Sequence, residues 1–225
     1  VLERQEYMDL QNFLIVLSVA AIPLVFAITV HEVAHGWVAR RYGDRTAEAA
    51  GRLTLNPIRH IDPVGTVLLP ALQLLLLGRV FFGWAKPVPV NPRYLRHPRS
   101  DMVKVAIAGP AANVVMALAW AAVFALFSKI GSPGGPVDWA LQMALTGVTF
   151  NILLAAFNLL PIPPLDGGRV LTNGLPLGPL SRLLDRVEPW GLLIVVLLLV
   201  SGLAQRFVVP LAEMLEAAVF SVVGL

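Results

Sequence analysis

Residues 12–30 form an uncharged run of nineteen positions, and at its end stand His31, Glu32 and His35. Long apolar stretches follow at 105–127, about 139–160 and 190–204, with a shorter one at 64–78 that Pro70 interrupts. Runs near twenty residues match the helix length that crosses a hydrocarbon core of about 30 Å. The first helix is predicted over residues 12–42, with Pro23 inside it as a kink point. The 64–78 stretch differs, because fifteen residues of helix reach only about 22 Å; it reads as a marginal span or a re-entrant hairpin. Residues 51–57 alternate apolar and polar positions and close on Asn56-Pro57, the pattern of a short strand. Val88-Pro89-Val90 is extended by proline geometry. Residues 132–136 read as a tight loop, and 207–225, with Glu213 and Glu216 three apart, as an amphipathic helix on the surface or capping the bundle.

The expected fold is therefore an all-α polytopic membrane protein. It is a helical bundle of about five to six membrane segments, with a short strand or re-entrant element between the first and second core helices. Composition agrees: 57% of residues are hydrophobic and 14% charged, where a soluble domain carries about 25% charged. A length of 225 residues suits one membrane-embedded domain, 1–225, with its core at about 12–170 and C-terminal helices at about 188–225. The absence of cysteine excludes disulfides and thiolate metal sites. The net charge of +3 comes from Lys and Arg between the apolar runs, which suits loops beside anionic lipid and leaves no nucleic-acid footprint. No cleavable signal is expected. The first residues are as acidic as basic (Glu3, Arg4, Glu6, Asp9), and the run behind them is too long for a signal core.

On a helix His31 and His35 are 400° and about 6 Å apart, so both imidazoles point the same way and can share one metal. An ionisable residue inside a span costs about 2.5–3.5 kcal/mol on insertion scales, and a divalent ion compensates the cluster. Glu32, beside the first ligand, is placed to take a proton from water as a non-ligand base, the arrangement of zinc hydrolases. A catalytic zinc needs a third protein ligand. His60 and His97 lie in basic loops and read as solvated or headgroup-facing. Glu48 follows too soon, in a polar loop. Asp166 ends 27 uncharged residues, 139–165, and reads either as the third ligand or as the N-cap of a following short helix.

Three motifs now stand in order: His31-Glu32-Val33-Ala34-His35 closing a span, Ala108-Gly109-Pro110-Ala111-Ala112-Asn113 opening a later one, and Asn158-Leu159-Leu160-Pro161-Ile162-Pro163-Pro164-Leu165-Asp166-Gly167-Gly168. Together, over about residues 20–170, they resemble the site-2 protease family of intramembrane zinc metalloproteases, and within it the compact bacterial type without an inserted PDZ domain. The resemblance implies one zinc ion held by His31, His35 and Asp166, with Glu32 as catalytic base. It matches Asn113 to the family's Gly-x-x-x-Asn position near the active site and Asn158 to the Asn that precedes Leu-Asp-Gly, a substrate-positioning role. For Asn113 two readings stay open: a donor to a substrate carbonyl or developing oxyanion, or an interhelical hydrogen bond of about 0.6 kcal/mol. Asn151 reads as packing glue, and Gly109 as a point of close helix approach.

Topology adds an expectation. If 64–78 folds back, two crossings separate His31 from Asp166 and their helix ends meet on one side. Loops 40–62 and 79–104 are both basic, which places both in the cytoplasm by the positive-inside rule. The active site is thus expected toward the cytoplasmic side of the plasma (inner) membrane, with a transmembrane segment of another protein as substrate and the bilayer as surroundings. Two other classes use the same residues: a metal transporter or sensor, which needs a polar path that the spans lack, and an inactive scaffold that binds zinc without cleaving.

Overall fold

The computed structural model describes residues 10–77, 83–130 and 135–225. The charged residues expected ahead of the first helix, and most of the loop at 132–136, lie outside them. Among the described residues every regular element is helical. The first helix, α1 (Leu10–Arg41), runs through Pro23 and ends on Arg40 and Arg41, cations at the negative end of the helix dipole. Short α2 (Thr46–Ala49) follows.

The strand expected at 51–57 does not form. Asn56 instead caps a 3-10 turn, Pro57–His60, its side-chain oxygen accepting from the Ile58 N–H at 3.1 Å. A polar side chain that bonds its own main chain two residues on competes with strand pairing. The apolar stretch after it divides into a wide π-type turn, Pro63–Leu68, and α3 (Leu69–Leu77). The Asp62 carboxylate opens that turn by accepting from the Val64 and Gly65 N–H groups at 3.0 and 2.7 Å. Nine residues of α3 extend about 14 Å, less than half of the hydrocarbon core. The chain then returns to where it left: the Trp84 N–H donates to Gly65 O at 3.1 Å and the Lys86 N–H to His60 O at 2.9 Å.

The remaining helices are α4 (Pro98–Ile130), α5 (Pro136–Asn158), α6 (Asp166–Gly174), α7 (Pro179–Val187), α8 (Gly191–Val200) and α9 (Leu203–Val222). Three helical stretches are long and apolar enough to cross a membrane: Leu17–Arg41, Pro98–Lys129 and Pro136–Asn158. A fourth arises if α7–α8 and α9, bent by 81°, count as one span. The described helices thus supply three to four spans where the hydropathy pattern suggested five to six segments.

Helices α1, α4 and α5 pack against one another, and α9 lies on α4 and α5. The shared core joins Ala117 and Ala121 of α4, Val148, Ile152 and Ala156 of α5, and Val208, Ala212 and Val219 of α9. Small residues at such contacts let backbones come close where lipid provides no hydrophobic drive. Gly147 is one of them: a Cβ there would lie 2.5 Å from the Trp120 indole of α4. At the end of α1 the loops are tied together. Buried Asp44 accepts from the Thr46 N–H at 2.9 Å and the Asn91 N–H at 2.7 Å, and the Arg96 N–H donates to Tyr42 O at 3.0 Å. Residues 42–46 and 91–96 therefore share one end of the bundle.

Candidate metal centre

His31 and His35 lie on one face of α1 with ring centroids 4.6 Å apart and their Nε2 atoms 3.0 Å apart. The third group comes from the first residue of α6. Asp166 Oδ2 is 3.3 Å from each Nε2. The three side chains are only 5–8% exposed, and they form a cluster able to hold a metal ion.

Each imidazole is oriented from behind. His31 Nδ1 is 2.6 Å from the side-chain oxygen of Asn113 on α4, and His35 Nδ1 is 2.7 Å from the main-chain oxygen of Val105 on the same helix. A carbonyl oxygen only accepts, and the Asn113 oxygen is assigned by its amide nitrogen, which lies 3.1 Å from Ala27 O. Both Nδ1 atoms therefore carry the proton, and both Nε2 atoms present lone pairs to one another and to a carboxylate oxygen that has no hydrogen-bond partner. Three acceptors converging in a buried space repel unless a cation lies among them. Four-coordinate zinc with ligands at about 2.0–2.1 Å sets neighbouring donors about 3.3 Å apart, close to the 3.0, 3.3 and 3.3 Å seen here. Donor chemistry, tautomers and spacing all fit zinc, and second-shell acceptors on the far ring nitrogen are its usual company.

Glycines make the room. A Cβ on Gly109 of α4 would lie 2.4 Å from His35 Nε2 and 2.6 Å from His31 Cε1, so this residue leaves open the space the donors face. Gly167 and Gly168 let the start of α6 nest on the preceding turn, since Cβ atoms there would lie 2.2 Å from Leu159 O and from Pro163 N. Asp166 caps no main-chain N–H; its other reading, as an N-cap, does not describe it. The far end of α6 is held by half-buried Arg99 of α4. Its guanidinium donates to Thr172 O at 2.9 Å, Asn173 O at 3.4 Å and Leu175 O, the last carbonyls of the helix.

Glu32 is half-buried, and its Oε2 accepts from the Val88 N–H at 2.7 Å. Gly36, one turn on, allows that approach: a Cβ there would meet Val88 Cγ1 at 2.8 Å and Leu53 Cδ2 at 2.6 Å. Asn113 is fully buried, and its amide nitrogen serves Ala27 O and Asn151 Oδ1, the latter at 2.9 Å. No donor is left over for a substrate oxyanion; of its two readings, the interhelical one describes this geometry. Half-buried Asn158 donates to Leu154 O of its own helix at 2.9 Å.

The two remaining histidines stand apart from the cluster. His60 is buried, contrary to the solvated reading, because it sits under the returning chain with Nε2 2.9 Å from Thr54 O. His97 is exposed, 3.8 Å from Asp101. Glu48 pairs with Arg40 at 3.1 Å on the surface. Sequence reasoning missed Val105, Val88 and Arg99. The first two act through main-chain atoms that leave no trace in residue type, and Arg99 was one cation among many in a basic loop.

The chain matches Peptidase family M50, the site-2 protease family, over residues 19–146 and 137–202. It is 38% identical over 197 residues to "Putative zinc metalloprotease YwhC" of Bacillus subtilis, covering 84% of each chain. It is 33% identical to "Putative zinc metalloprotease Rip2" of Mycolicibacterium smegmatis, covering 81% of this chain and 67% of that one. With "Putative zinc metalloprotease MJ0611" of Methanocaldococcus jannaschii it shares 31% identity, covering 71% and 73%. No solved structure matches. A match over most of the chain, meeting a buried His-His-Asp cluster fit for zinc, makes this protein a member of the M50 metallopeptidases.

Proposed function

We propose that this membrane zinc metalloprotease is an intramembrane peptidase, hydrolysing a peptide bond in or beside a transmembrane segment of another membrane protein. His31, His35 and Asp166 hold one zinc ion, and Glu32 is the catalytic base. The observation that carries the reading is the convergence of three metal-donor atoms, two from the apolar helix α1 and one from the start of α6, beside a carboxylate that is not one of them.

When bound, zinc supplies Lewis acidity, polarising a carbonyl and acidifying water. Glu32 takes the proton from the attacking water as it adds to the scissile carbonyl carbon, then delivers it to the amide nitrogen as the C–N bond breaks. The hydrogen bond from Val88 N–H keeps one Glu32 oxygen fixed and leaves the other for that transfer. A helical substrate hides its carbonyls in its own hydrogen bonds and must unwind first. An unwound substrate segment is received along 86–91, a non-helical stretch beside Glu32 where Lys86 and Val88 turn their N–H groups inward. Their neighbours Pro87 and Pro89 have carbonyls but no N–H, so a substrate segment laid there can donate to those carbonyls and receives no hydrogen bond from these two residues. Asn158 keeps its side-chain oxygen for a substrate N–H.

The domain is taken as 1–225, with its catalytic core at about 12–170. We take residues 64–77, with the return at 83–90, as a re-entrant membrane element, and the site opens toward the cytoplasm of the plasma membrane. The test is the Glu32→Gln protein, assayed for zinc and for cleavage of a transmembrane reporter. It is expected to keep its zinc and lose on the order of 10²–10⁴-fold in rate. Cleavage at the wild-type rate would remove Glu32 from its role.

A further inference from the structure

Behind His31 the hydrogen bonds do not stop at Asn113. They continue from Asn113 Nδ2 to Asn151 Oδ1 at 2.9 Å, and from Asn151 Nδ2 to Gly147 O at 2.8 Å. The chain crosses α1, α4 and α5, and both asparagines are fully buried. Polar groups at such a depth have no water to fall back on, so each must be satisfied within the bundle.

The direction of every bond in the chain follows from its ends. Gly147 O is a main-chain carbonyl and only accepts, so the Asn151 amide nitrogen points to it and the Asn151 oxygen points to Asn113. That oxygen also only accepts, so Asn113 turns its nitrogen toward α5 and its oxygen toward His31. His31 must then donate from Nδ1, which leaves the Nε2 lone pair facing His35 and Asp166. A flipped Asn113 would set two oxygens against each other and present an N–H to His31 Nδ1, moving the imidazole proton onto Nε2 where a metal has to bind.

Ala27 O also receives the Asn113 nitrogen, but Ala27 lies one turn before His31 on the same helix. With Ala27 alone, Asn113 would follow α1. Asn151 adds an anchor on α5, the helix that leads through residues 159–165 to Asp166. Gly147 brings the helices together there, since it leaves space for Trp120 of α4.

We propose that Asn151 is a positioning residue of the metal centre: it orients the Asn113 amide, selects the Nδ1-protonated form of His31, and couples the histidine helix to the helix that carries the chain on to the aspartate. The inference rests on the zinc reading of His31, His35 and Asp166.

The experiment measures how fast purified, full-length holoprotein loses zinc to an excess of chelator. Second-shell losses weaken metal binding by about 10–100-fold, so Asn151→Ala is expected to release zinc on the order of ten times faster than wild type or more. Asn151→Asp keeps an acceptor for Asn113 and, protonated, a donor for Gly147; it is expected to stay within a few-fold of wild type. The discriminating readout is the double variant. In an Asn113→Ala background, Asn151→Ala is expected to add nothing further, because its effect travels through Asn113, whereas a packing defect would add independently. Additive losses, wild-type zinc retention in Asn151→Ala, or an Asn151→Asp protein that loses zinc as fast as the alanine variant would each overturn the assignment. If Asn151→Ala does not fold, Asn151→Asp carries the test alone: release within a few-fold of wild type supports the assignment, and release on the order of ten times faster or more overturns it. A wild-type protein without zinc would instead overturn the metal reading itself.

Discussion

At the residue scale, the centre depends on which atom of each side chain faces inward. The i, i+4 spacing of His31 and His35 made their common direction legible in the sequence, and the uncharged stretch ahead of Asp166 marked that carboxylate as exceptional. Nothing in the residue types says which ring nitrogen is free. That is decided by Asn113, 82 positions from His31, and by the Val105 main-chain oxygen, 70 positions from His35. The Asn113 side chain was open to two readings for the same reason: its partners, Ala27 O and Asn151, are known only once three helices are packed. Gly109 gives a direct test of the space they enclose. A methyl group 2.4 Å from His35 Nε2 overpacks the site, an effect worth about 1–3 kcal/mol. Gly109→Ala is expected to weaken zinc binding by roughly 5- to 150-fold with the helical content unchanged, as measured by chelator competition and circular dichroism. Unaltered affinity would mean that the ion lies elsewhere.

At the element scale, the long helices were legible because apolar runs of near-span length have few alternatives in lipid. Helix α1 was expected over 12–42 and spans Leu10–Arg41; the run at 139–160 became Pro136–Asn158. The segments between were not legible to the same degree. The alternation at 51–57 suggested a strand, but a strand needs a partner edge. Here Asn56 bends the main chain into a 3-10 turn, and the neighbouring stretch carries Pro87 and Pro89, which have no N–H to pair. Helix α6 is the short element on which function turns, since it delivers Asp166 from one end while Arg99 grips the other. Hydrogen bonds from a charged donor are worth about 1.5–3 kcal/mol. Arg99→Ala is expected to raise amide hydrogen exchange across 166–174 and to speed zinc loss severalfold, with Arg99→Lys intermediate. Exchange unchanged at 166–174 would show that the nested glycines, Gly167 and Gly168, hold the helix alone.

At the scale of the whole molecule, the fold brings together groups 135 positions apart in the chain, His31 and Asp166. The excursion through 63–77 makes this possible by starting and ending at the same place, where Trp84 and Lys86 bond Gly65 and His60. Basic segments at 40–62 and 83–104 consequently share one end of the bundle, the end proposed to face the cytoplasm on the positive-inside rule. These 225 residues contain no cysteine, so within them Arg45→Cys and Arg96→Cys report without background. Both are expected to resist an impermeant maleimide in intact cells and to react in inside-out vesicles. Labelling of either from outside would reverse the orientation. The central claim is that two histidines of the first span and one aspartate beyond the fifth helix grip the same zinc ion, and metal analysis of purified wild-type and Asp166→Ala proteins tests it most directly. The predicted result is one zinc per chain in the wild type and loss of most of it in the variant. Equal zinc in both, or none in the wild type, would contradict the account.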